Sequence, residues 1–568
     1  MNSFPSSGAR AQPESALREW TVAAGFSLLV AIAVISPFFF LGTASGHDIA
    51  FHMASWLDAA GQWKQGILLP RWAEWANFGY GEPRFIFYPP LSWLFGAFLG
   101  SIMPWRAVAT VFIICVQGFA GISAYLLLRR FVNSRWAALW GSACFAANPY
   151  ALMIVYARSD FAEQLAVAFL PLLFLATFRL CGFVEEQNHQ GGAVRNIVGF
   201  AGSFAGVWLA NAPAGVIATY SVGLLFVFAA VRERSFKVLV RGGGGILLGF
   251  GLASFYIIPA IYEQHWVNIG GALAEGLTPA ENFLYATTTD AEHDAFNRVA
   301  SNVAVLLSVW VAVGGIAAFR AVRGRLPESK RALVPIAVLG GIVLVLMLPI
   351  STVFWRSLPE LRFVQFPWRW MSVLAVCAVL FVSAAARGKA NWIWVMAAIL
   401  SVVGSGHYLV KHTWWDTEDM PTLEAAMASG EGFEGTDEYD PVGDDRTDLP
   451  QKKPRAWFVG EAGHPTARAD AEILVDRWTA EQRTLRVVAA QNGHLAVRLL
   501  DYPAWRVTIN QKFVKAQHAV GTSQMIISVP AGESRIEIRF MRTPDRTIGA
   551  WISVLTACGS IALLLGKQ

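Results

Sequence analysis

Long apolar runs separated by short polar segments make up most of this chain. Twelve runs are long enough to cross the roughly 30 Å hydrocarbon core of a bilayer, which takes about 17–25 helical residues. They lie at 20–41, 107–128, 136–156, 163–181, 196–211, 212–231, 240–262, 299–320, 332–351, 368–386, 391–410 and 548–566. Hardly any carries a charge near its middle, where one would cost about 3 kcal/mol or more. The pattern predicts a mainly α-helical, polytopic membrane protein with about 12 transmembrane helices.

A further apolar run, 88–103, decides the topology. If it crossed the membrane, the basic loop at 129–135 would face outward. If it is re-entrant or interfacial, that loop faces the cytoplasm together with the basic segments 232–241, 320–331 and 387–389. The positive-inside rule favours the second arrangement. We therefore expect both chain ends in the cytoplasm and a location in the bacterial inner (plasma) membrane.

Polar segments divide the chain into parts with different predicted roles. These are a cytoplasmic tail at 1–19, a transmembrane domain at 20–410 with a long first outer loop at 42–106, an acidic irregular linker at 411–454, an extracytoplasmic β-sandwich at 455–546 and a final transmembrane helix at 547–568. The first span is long enough to cross the bilayer, so we interpret it as an uncleaved signal anchor. In the predicted sandwich, apolar and polar residues alternate in runs that are broken by turn signals such as Asn492-Gly493.

Composition and charge agree with lipid as the solvent for much of the chain. Hydrophobic residues make up 55% and charged residues 15%, and the net charge of +5 comes from basic residues in short loops. No basic stripe suits nucleic acid, which we exclude as a partner. The five cysteines lie in or beside apolar runs, so the sequence predicts neither a disulfide framework nor a thiolate zinc site.

Polar residues that could carry chemistry gather where predicted spans meet the outer loops. In the first loop, Asp48 and His52 would share one face of a helix that starts directly after the first span. Asp48 could act as a general base, bind a divalent cation, or cap that helix. Further along the same loop, Arg71 and Arg84 stand among many aromatic residues and are candidate hydrogen-bond donors to a phosphate group. Anchoring at the membrane interface would also explain these two arginines.

Two later loops add further candidates. Asp160 and Glu163 flank the start of a span, and a carboxylate at that depth is a functional hypothesis; an Arg158–Glu163 pair with helix capping by Asp160 is the alternative. At the entrance of the tenth predicted span, Arg362 and Arg369 stand among aromatic residues, where they could hold a lipid phosphate or form an interfacial girdle.

The order of these motifs resembles that of the GT-C superfamily of integral-membrane glycosyltransferases. In that superfamily an acidic residue stands near the start of the first outer loop, as at His47-Asp48, and a Tyr-Pro motif introduces the loop's apolar end, as at Tyr88-Pro89. A second acidic motif follows the third span, and the segment 158–163 occupies that place. The collinear match covers roughly the first 180 residues.

Within that superfamily, the sequence more closely resembles bacterial membrane proteins related to pyruvoyl-tetrahydropterin synthase and the YfhO-like proteins. The residues that carry this resemblance lie at 47–52, 70–72, 79–81, 365–369 and 502–532. The family name does not imply pterin chemistry here, because the three-histidine zinc site of a soluble pterin synthase is not found. The motif Trp414-Trp415-Asp416 matches a peptide-recognition motif of oligosaccharyltransferases, but its context does not support protein N-glycosylation.

The resemblance implies transfer of a hexosyl or pentosyl group from a polyprenyl-phosphate donor to an envelope glycan or lipid on the outer face. Asp48 would be the base, with Asp160 and Glu163 as further catalytic carboxylates that orient the acceptor or hold a cation. The substrate-binding residues would be His47, His52, Arg71, Arg84, Arg158, Arg362 and Arg369. Whether a divalent cation takes part stays open.

Two other classes of function fit the sequence. One is a transporter or flippase of a lipid-linked saccharide, although no inverted repeat is visible and polar residues gather at one face. The other is a non-catalytic envelope assembly protein that binds glycan or a partner through its sandwich. Convergence of Asp48, Asp160 and Glu163 on one outward-facing cavity that contains arginines is the outcome that the transferase hypothesis predicts.

Overall fold

A computed structural model of the chain describes residues 13–132, 134–184, 192–321, 328–386, 392–442, 448–459, 471–519 and 521–565. The predicted tail up to residue 12 and the basic segment 387–389 lie outside these residues. In chain order the α-helices are α1 (Pro13–Val34), α2 (Phe38–Leu41), α3 (Ile49–Lys64), α4 (Ala76–Gly79), α5 (Arg84–Phe87), α6 (Pro90–Ile102), α7 (Trp105–Leu128), α8 (Arg135–Ala146), α9 (Pro149–Met153), α10 (Phe161–Leu180), α11 (Gly192–Ala210), α12 (Ala212–Glu233), α13 (Lys237–Glu263), α14 (Ala291–Ala321), α15 (Glu328–Leu346), α16 (Thr352–Ser357), α17 (Met371–Ala385), α18 (Trp392–His412), α19 (Asp419–Ala428) and α20 (Pro544–Leu565).

The predicted number of transmembrane helices is confirmed. Among the described residues, 11 helical segments are long and apolar enough to cross a membrane. A twelfth is obtained if the bent pair Ala332–Leu346 and Pro349–Ser357, whose axes differ by 94°, is counted as one span. One predicted span is interrupted: α8 ends before Asn148, whose side chain caps α9, because Pro149 disfavours helical geometry in the residue before it.

Two contacts at opposite ends of the first span fix the direction of the spans that follow. Glu19, near the start of α1, accepts a hydrogen bond of 2.7 Å from Nε of Arg129, which directly follows α7. At the other end, Asp48 contacts Arg158. Helix α7 therefore returns to the side from which α1 started, so the 13-residue helix α6 does not cross the membrane. This agrees with the predicted re-entrant or interfacial run.

Among the residues that the structure describes, eleven strands form a small sheet at the membrane edge and a sandwich after α19. They are β1 (Thr43–Ala44), β2 (Trp415–Asp416), β3 (Ala456–Val459), β4 (Ala471–Trp478), β5 (Gln482–Ala489), β6 (Gly493–Leu500), β7 (Trp505–Ile509), β8 (Lys512–Val514), β9 (Gln517–His518), β10 (Gln524–Val529) and β11 (Gly532–Phe540). Two antiparallel sheets, with orders β3-β6-β10-β9 and β4-β5-β11-β7-β8, enclose one apolar core. The predicted β-sandwich is thereby confirmed.

The strands β1 and β2 pair antiparallel, so the entrance to the first outer loop is joined to the chain that follows α18. The backbone N–H of Ser45 also donates to the carbonyl of Trp414 over 2.8 Å. The Trp-Trp-Asp motif is therefore part of the framework that carries Asp48. We call the side of the membrane where these strands and the sandwich lie the β-domain side.

The segment predicted as an irregular linker, 411–454, contains α19 and then packs into the first outer loop. The N–H of Phe433 donates to the carbonyl of Trp75, and the N–H of Thr436 donates to Oε2 of Glu82, each over 2.9 Å. A Cβ on Gly432 would lie 2.5 Å from the carbonyl oxygen of Trp75, so only glycine permits this close approach. The linker thus joins the first loop to the sandwich.

Candidate active site at the membrane edge

The backbone of the first outer loop is fastened directly to the turn between the third and fourth spans. The N–H of Asp48 donates to the carbonyl of Arg158 over 2.9 Å, and the hydroxyl of Ser159 accepts from the N–H of Gly46 over 3.1 Å. Ser159 adopts a left-handed conformation with a φ of 55°, which an L-residue rarely adopts. A Cβ on Gly46 would lie 2.4 Å from the carbonyl carbon of Arg158, so this contact requires glycine. These contacts fix the position of Asp48 relative to Arg158.

Arg158 contacts the three predicted carboxylates. Its Nη2 lies 2.6 Å from Oδ2 of Asp48 and 3.1 Å from Oδ2 of Asp160, and its Nη1 donates to Oε2 of Glu163 over 2.8 Å. Charge-assisted hydrogen bonds of this length are among the strong ones in proteins, and the planar guanidinium suits several carboxylates at once. We call Asp48, Arg158, Asp160 and Glu163, together with Arg369, the carboxylate–guanidinium cluster.

Arg369 is the second cation of the cluster. Its Nε lies 3.1 Å from Oε2 of Glu163 and its Nη2 lies 3.7 Å from Oδ2 of Asp160. Its Nη1 donates to the carbonyl of Val364 and to Oε1 of Gln365. Gln365 has φ 64° and ψ −59°, the geometry of a strained γ-turn, and the Arg369 contacts support it.

Exposure to solvent distinguishes Asp48 from the rest of the cluster. Its side chain is 34% exposed, whereas those of Arg158, Asp160 and Glu163 are at most 5% exposed. Among the described residues, none donates a hydrogen bond to Oδ1 of Asp48. Asp48 stands at the N-terminal boundary of α3, but its side chain does not cap the helix. The exposed oxygen of Asp48 is therefore the one acidic group of the cluster that can reach a substrate.

Asp160 caps a helix and also contacts Arg158. The sequence offered this capping, together with an Arg158–Glu163 pair, as the alternative to a functional role, and both contacts are present. Its Oδ1 accepts from the backbone N–H of Glu163 over 2.9 Å at the start of α10, and its Oδ2 faces Arg158. Nε2 of His52 lies 3.5 Å from Oδ1. Burial alone would raise the pKa of Asp160, but the charges of Arg158 and Arg369 and the contact with His52 hold it below the ordinary value. Asp160 is therefore ionised at neutral pH.

Aromatic rings exclude water from the buried part of the cluster. The guanidinium of Arg158 lies over the rings of Phe366 and Trp368, with centroid distances of 5.6 Å and 5.2 Å. Tyr150 donates its hydroxyl to Oε1 of Glu163. Nearer the surface, burial and the charges of Asp160 and Asp48 raise the pKa of Tyr88 well above its usual value, so this phenol stays neutral.

His47 lies beside Asp48 rather than in the cluster. Its ring packs on Phe296 with a centroid distance of 4.7 Å. Burial lowers the pKa of His47, and the charge of Asp48 only partly opposes this effect. His47 is therefore a neutral imidazole at pH 7, available to donate or accept a hydrogen bond.

Three of the arginines proposed from the sequence do not join the cluster. Arg71 forms a two-pronged pair with Glu481 of the sandwich, with an Nη2–Oε2 distance of 2.7 Å. Arg84 is buried between the rings of Phe51 and Phe433 and contacts Glu82, Ser55 and Thr436. Arg362 is exposed, lies over the ring of Phe363, and forms no ion pair with a described residue. Arg71 and Arg84 therefore hold the domains together, whereas Arg362 is accessible.

The sequence also predicted an outward-facing cavity around the acids. The acids converge with Arg158 and Arg369, as the transferase hypothesis predicts, but Asp48 opens directly to the surface. Two cavities among the described residues lie away from the cluster. One of about 540 Å³ is apolar and lies between α14, α15 and α17, and one of about 270 Å³ is lined by loop residues between Glu275 and His293.

Sequence patterns did not indicate Tyr150 as a part of the site. They gave Gln365, Phe366 and Trp368 only as part of the family resemblance. Arg158 also ends a turn of π-helix, Ile154–Arg158, which follows α9. Such turns are rare and often occur at functional sites. The break signal at Asn148-Pro149 was the only sequence feature that could have drawn attention to this region.

The sequence left open whether these carboxylates bind a divalent cation, and their geometry bears on this question. Among the residues that the structure describes, no group of three or more His, Cys, Asp or Glu side chains has an arrangement that could hold a metal ion. The carboxylates of the cluster point at a guanidinium group instead. The residues present therefore do not fit a divalent cation.

The fold and this site define a polytopic membrane protein with a carboxylate–guanidinium cluster at its β-domain side. Residues 85–414 match the model of a family described as "6-pyruvoyl-tetrahydropterin synthase related domain; membrane protein". The chain belongs to this family. It is also 23% identical over 243 residues to an uncharacterized protein of Lactococcus lactis subsp. cremoris (strain MG1363), with coverage of 41% of this chain and 38% of that protein.

Solved structures similar to this chain include glycosyltransferases. A variant of the mycobacterial arabinofuranosyltransferase AftD gives a TM-score of 0.41 at 16% identity, covering 70% of this chain and 28% of that one. The archaeal oligosaccharyltransferase AglB from Archaeoglobus fulgidus, bound to an inhibitory peptide and a dolichol-phosphate, gives 0.40 at 14% identity, covering 74% and 56%. ArnT from Cupriavidus metallidurans, bound to undecaprenyl phosphate, gives 0.30 at 11% identity, covering 66% and 79%.

This chain spans less than two thirds of AftD, of AglB and of the Lactococcus protein. The three TM-scores are below 0.5, so these likenesses do not establish a shared function.

Proposed function

We propose that this protein transfers a sugar from a polyprenyl-phosphate donor to an envelope glycan or lipid at the extracytoplasmic face of the bacterial inner membrane. The observation that carries the proposal is the exposed carboxylate of Asp48, held 2.6 Å from Arg158 at the edge of the membrane. A reactive group at that depth meets a substrate whose phosphate lies at the lipid headgroups. Asp48 is the proposed general base.

The proposed reaction is a single displacement at the anomeric carbon. The acceptor hydroxyl gives its proton to Asp48 while its oxygen forms a bond to the anomeric carbon. The bond from that carbon to the phosphate oxygen breaks, and polyprenyl phosphate leaves with the electron pair. Because the contact with Arg158 holds the carboxylate of Asp48 in place, the base is positioned before the acceptor binds.

Arg362 is the proposed contact for the donor phosphate. Its guanidinium is exposed on the β-domain side, and it is the one arginine of the original candidates whose charge no described carboxylate neutralises. Helix α16, just before it, exposes the apolar side chains of Val353 and Phe354. A lipid-borne donor could lie against this surface with its phosphate at Arg362, which would stabilise the negative charge of the leaving group.

The proposal is tested with purified protein in liposomes. Radiolabelled polyprenyl-phosphate hexoses and pentoses are supplied as donors, and cell-envelope extract as acceptor. We expect label to move to the acceptor with wild-type protein and with Glu431→Gln, an exposed acid of the linker, but not with Asp48→Asn. Failure of wild-type protein to consume any donor of the panel would overturn the proposal, and movement of intact donor between leaflets would indicate a transporter.

A further inference from the structure

Three carboxylates from two outer segments meet at one point, and that point is occupied by a side chain of the protein. The nitrogens of Arg158 lie between 2.6 and 3.1 Å from Asp48, Asp160 and Glu163. Oxygens that bind a divalent cation lie at about 2.0–2.6 Å from the ion. An ion could bind these three acids together only if the guanidinium left.

Arg158 is held in this position by contacts on several sides. Its ring contacts with Phe366 and Trp368 cover the guanidinium, and its backbone carbonyl accepts from the N–H of Asp48. The whole residue is 4% exposed. Because one residue supplies both the backbone and the side-chain contact, displacing its guanidinium would also disturb the position of Asp48.

The charges are also nearly balanced without an added ion. Two guanidinium groups, of Arg158 and Arg369, face the three carboxylates. One negative charge remains, and the carboxylate that is open to solvent is Asp48. This is the charge that a proton acceptor needs.

We propose that Arg158 is a built-in counter-cation: it fills the position of a divalent cation and positions Asp48, so that the site works without a metal ion. This inference rests on the proposed transfer for its catalytic part. Its structural part, the absence of a cation site, is independent of any activity. Arg158 is a positioning residue in this account, because it acts through Asp48.

The structural part is tested by titrating Mn²⁺ into the full-length protein in detergent and following free Mn²⁺ by electron paramagnetic resonance. Wild-type protein and Asp48→Asn are expected to bind equal amounts. Arg158→Gln removes the guanidinium that lies between the three acids and leaves Arg369 beside Glu163 and Asp160. In this variant we expect additional Mn²⁺ binding that the Arg158→Gln/Asp48→Asn double variant lacks. Arg129→Gln, which breaks the ion pair with Glu19 at the opposite end of the bundle, is the matched control. This variant should show no additional Mn²⁺ binding.

Binding of Mn²⁺ by wild-type protein that Asp48→Asn abolishes would overturn the proposal, as would a folded Arg158→Gln without added Mn²⁺ binding. If Arg158→Gln does not fold, Arg158→Lys replaces it; lysine keeps the charge, so Mn²⁺ binding should stay absent in this variant. Additional Mn²⁺ binding by a folded Arg158→Lys would then contradict the proposal.

The catalytic part uses the transfer assay. Chelation with EDTA should leave transfer unchanged, and loss of transfer that Mn²⁺ restores would contradict the proposal. Arg158→Lys should reduce turnover about 100-fold with donor affinity unchanged, because a point charge misplaces Asp48. A parallel fall in turnover and in donor affinity would indicate a merely structural role for Arg158. If wild-type protein transfers nothing, the proposed function fails while the Mn²⁺ titration still decides the cation question.

Discussion

Nη2 of Arg158 lies 2.6 Å from Oδ2 of Asp48, although 110 residues separate them in the chain. The contact joins the start of the first outer loop to the turn between the third and fourth spans. Its backbone counterpart, from the N–H of Asp48 to the carbonyl of Arg158, shows that the two segments are packed against each other and not merely attracted by charge. The position of Asp48 therefore depends on how closely these segments approach.

Gly46→Ala tests that close approach. The added Cβ would lie 2.4 Å from the carbonyl carbon of Arg158 and 2.6 Å from the carbonyl oxygen of Ala157, both of which are backbone atoms. We expect a loss of about 1–3 kcal/mol in the free energy of unfolding, together with a loss of transfer, measured by denaturant titration and by the liposome assay.

Gly61→Ala in α3 is the matched control for Gly46→Ala. No atom lies within 4 Å of its added Cβ, so we expect unchanged transfer and a small gain in stability. Wild-type stability and transfer in Gly46→Ala would show that the contact does not position Asp48.

Arg84 and Arg71 should respond very differently to truncation. Arg84→Ala leaves the buried Glu82 without its cation and removes packing against Phe51 and Phe433, so we expect a loss of about 3–5 kcal/mol in the free energy of unfolding. Arg71→Ala removes a partly exposed pair with Glu481 and should cost at most about 1 kcal/mol.

Donor affinity, measured in folded samples of both variants, checks the assignment of Arg71 and Arg84 as structural. Neither variant should weaken donor binding, whereas Arg362→Gln should. A loss of donor affinity in Arg71→Ala without a loss of stability would show that Arg71 contributes to the binding of the donor phosphate.

Asp58 makes the stability of the first outer loop depend on pH. Burial raises the pKa of Asp58 from 3.8 to about 7. Between these values the folded protein binds more protons than the unfolded chain, so stability should fall as the pH rises from about 4 to about 7 and then level off. Thermal unfolding in detergent across this pH range should show the decrease of stability with pH, and Asp58→Asn should make this decrease smaller.

The exposed acid variant Glu431→Gln is the control for Asp58→Asn and should keep the wild-type slope. A rise of stability with pH in wild-type protein over the same window would contradict this assignment.

Much of the fold could be predicted because lipid imposes a simple pattern on the sequence. Runs of about 20 apolar residues and the basic loops between them are sufficient to predict the spans. They also predict that the run containing α6 does not cross the membrane. The meeting of Asp48 with Asp160 and Glu163 follows from that topology, because each of these residues stands next to a span end on the same side.

The roles of the arginines could not be predicted in the same way. Glu481, the partner of Arg71, lies 410 residues further along the chain in the sandwich. Thr436, one of the partners of Arg84, lies 352 residues further along in the linker. No periodicity connects such distant segments. Likewise, the contacts of Arg158 with three carboxylates and of Tyr150 with Glu163 are seen only in the structure. The interrupted helix between Arg135 and Arg158 sets the directions of these two side chains.

Asp48→Asn provides the most direct test of the account, when donor binding and donor turnover are measured on the same samples. Asparagine keeps the shape of the side chain but cannot accept the proton, so binding should be unchanged while turnover falls by about 10²–10⁴-fold. Glu431→Gln should match wild type in both. Turnover by Asp48→Asn at the wild-type rate, with wild-type protein active, would contradict the claim that this exposed carboxylate is the reactive group.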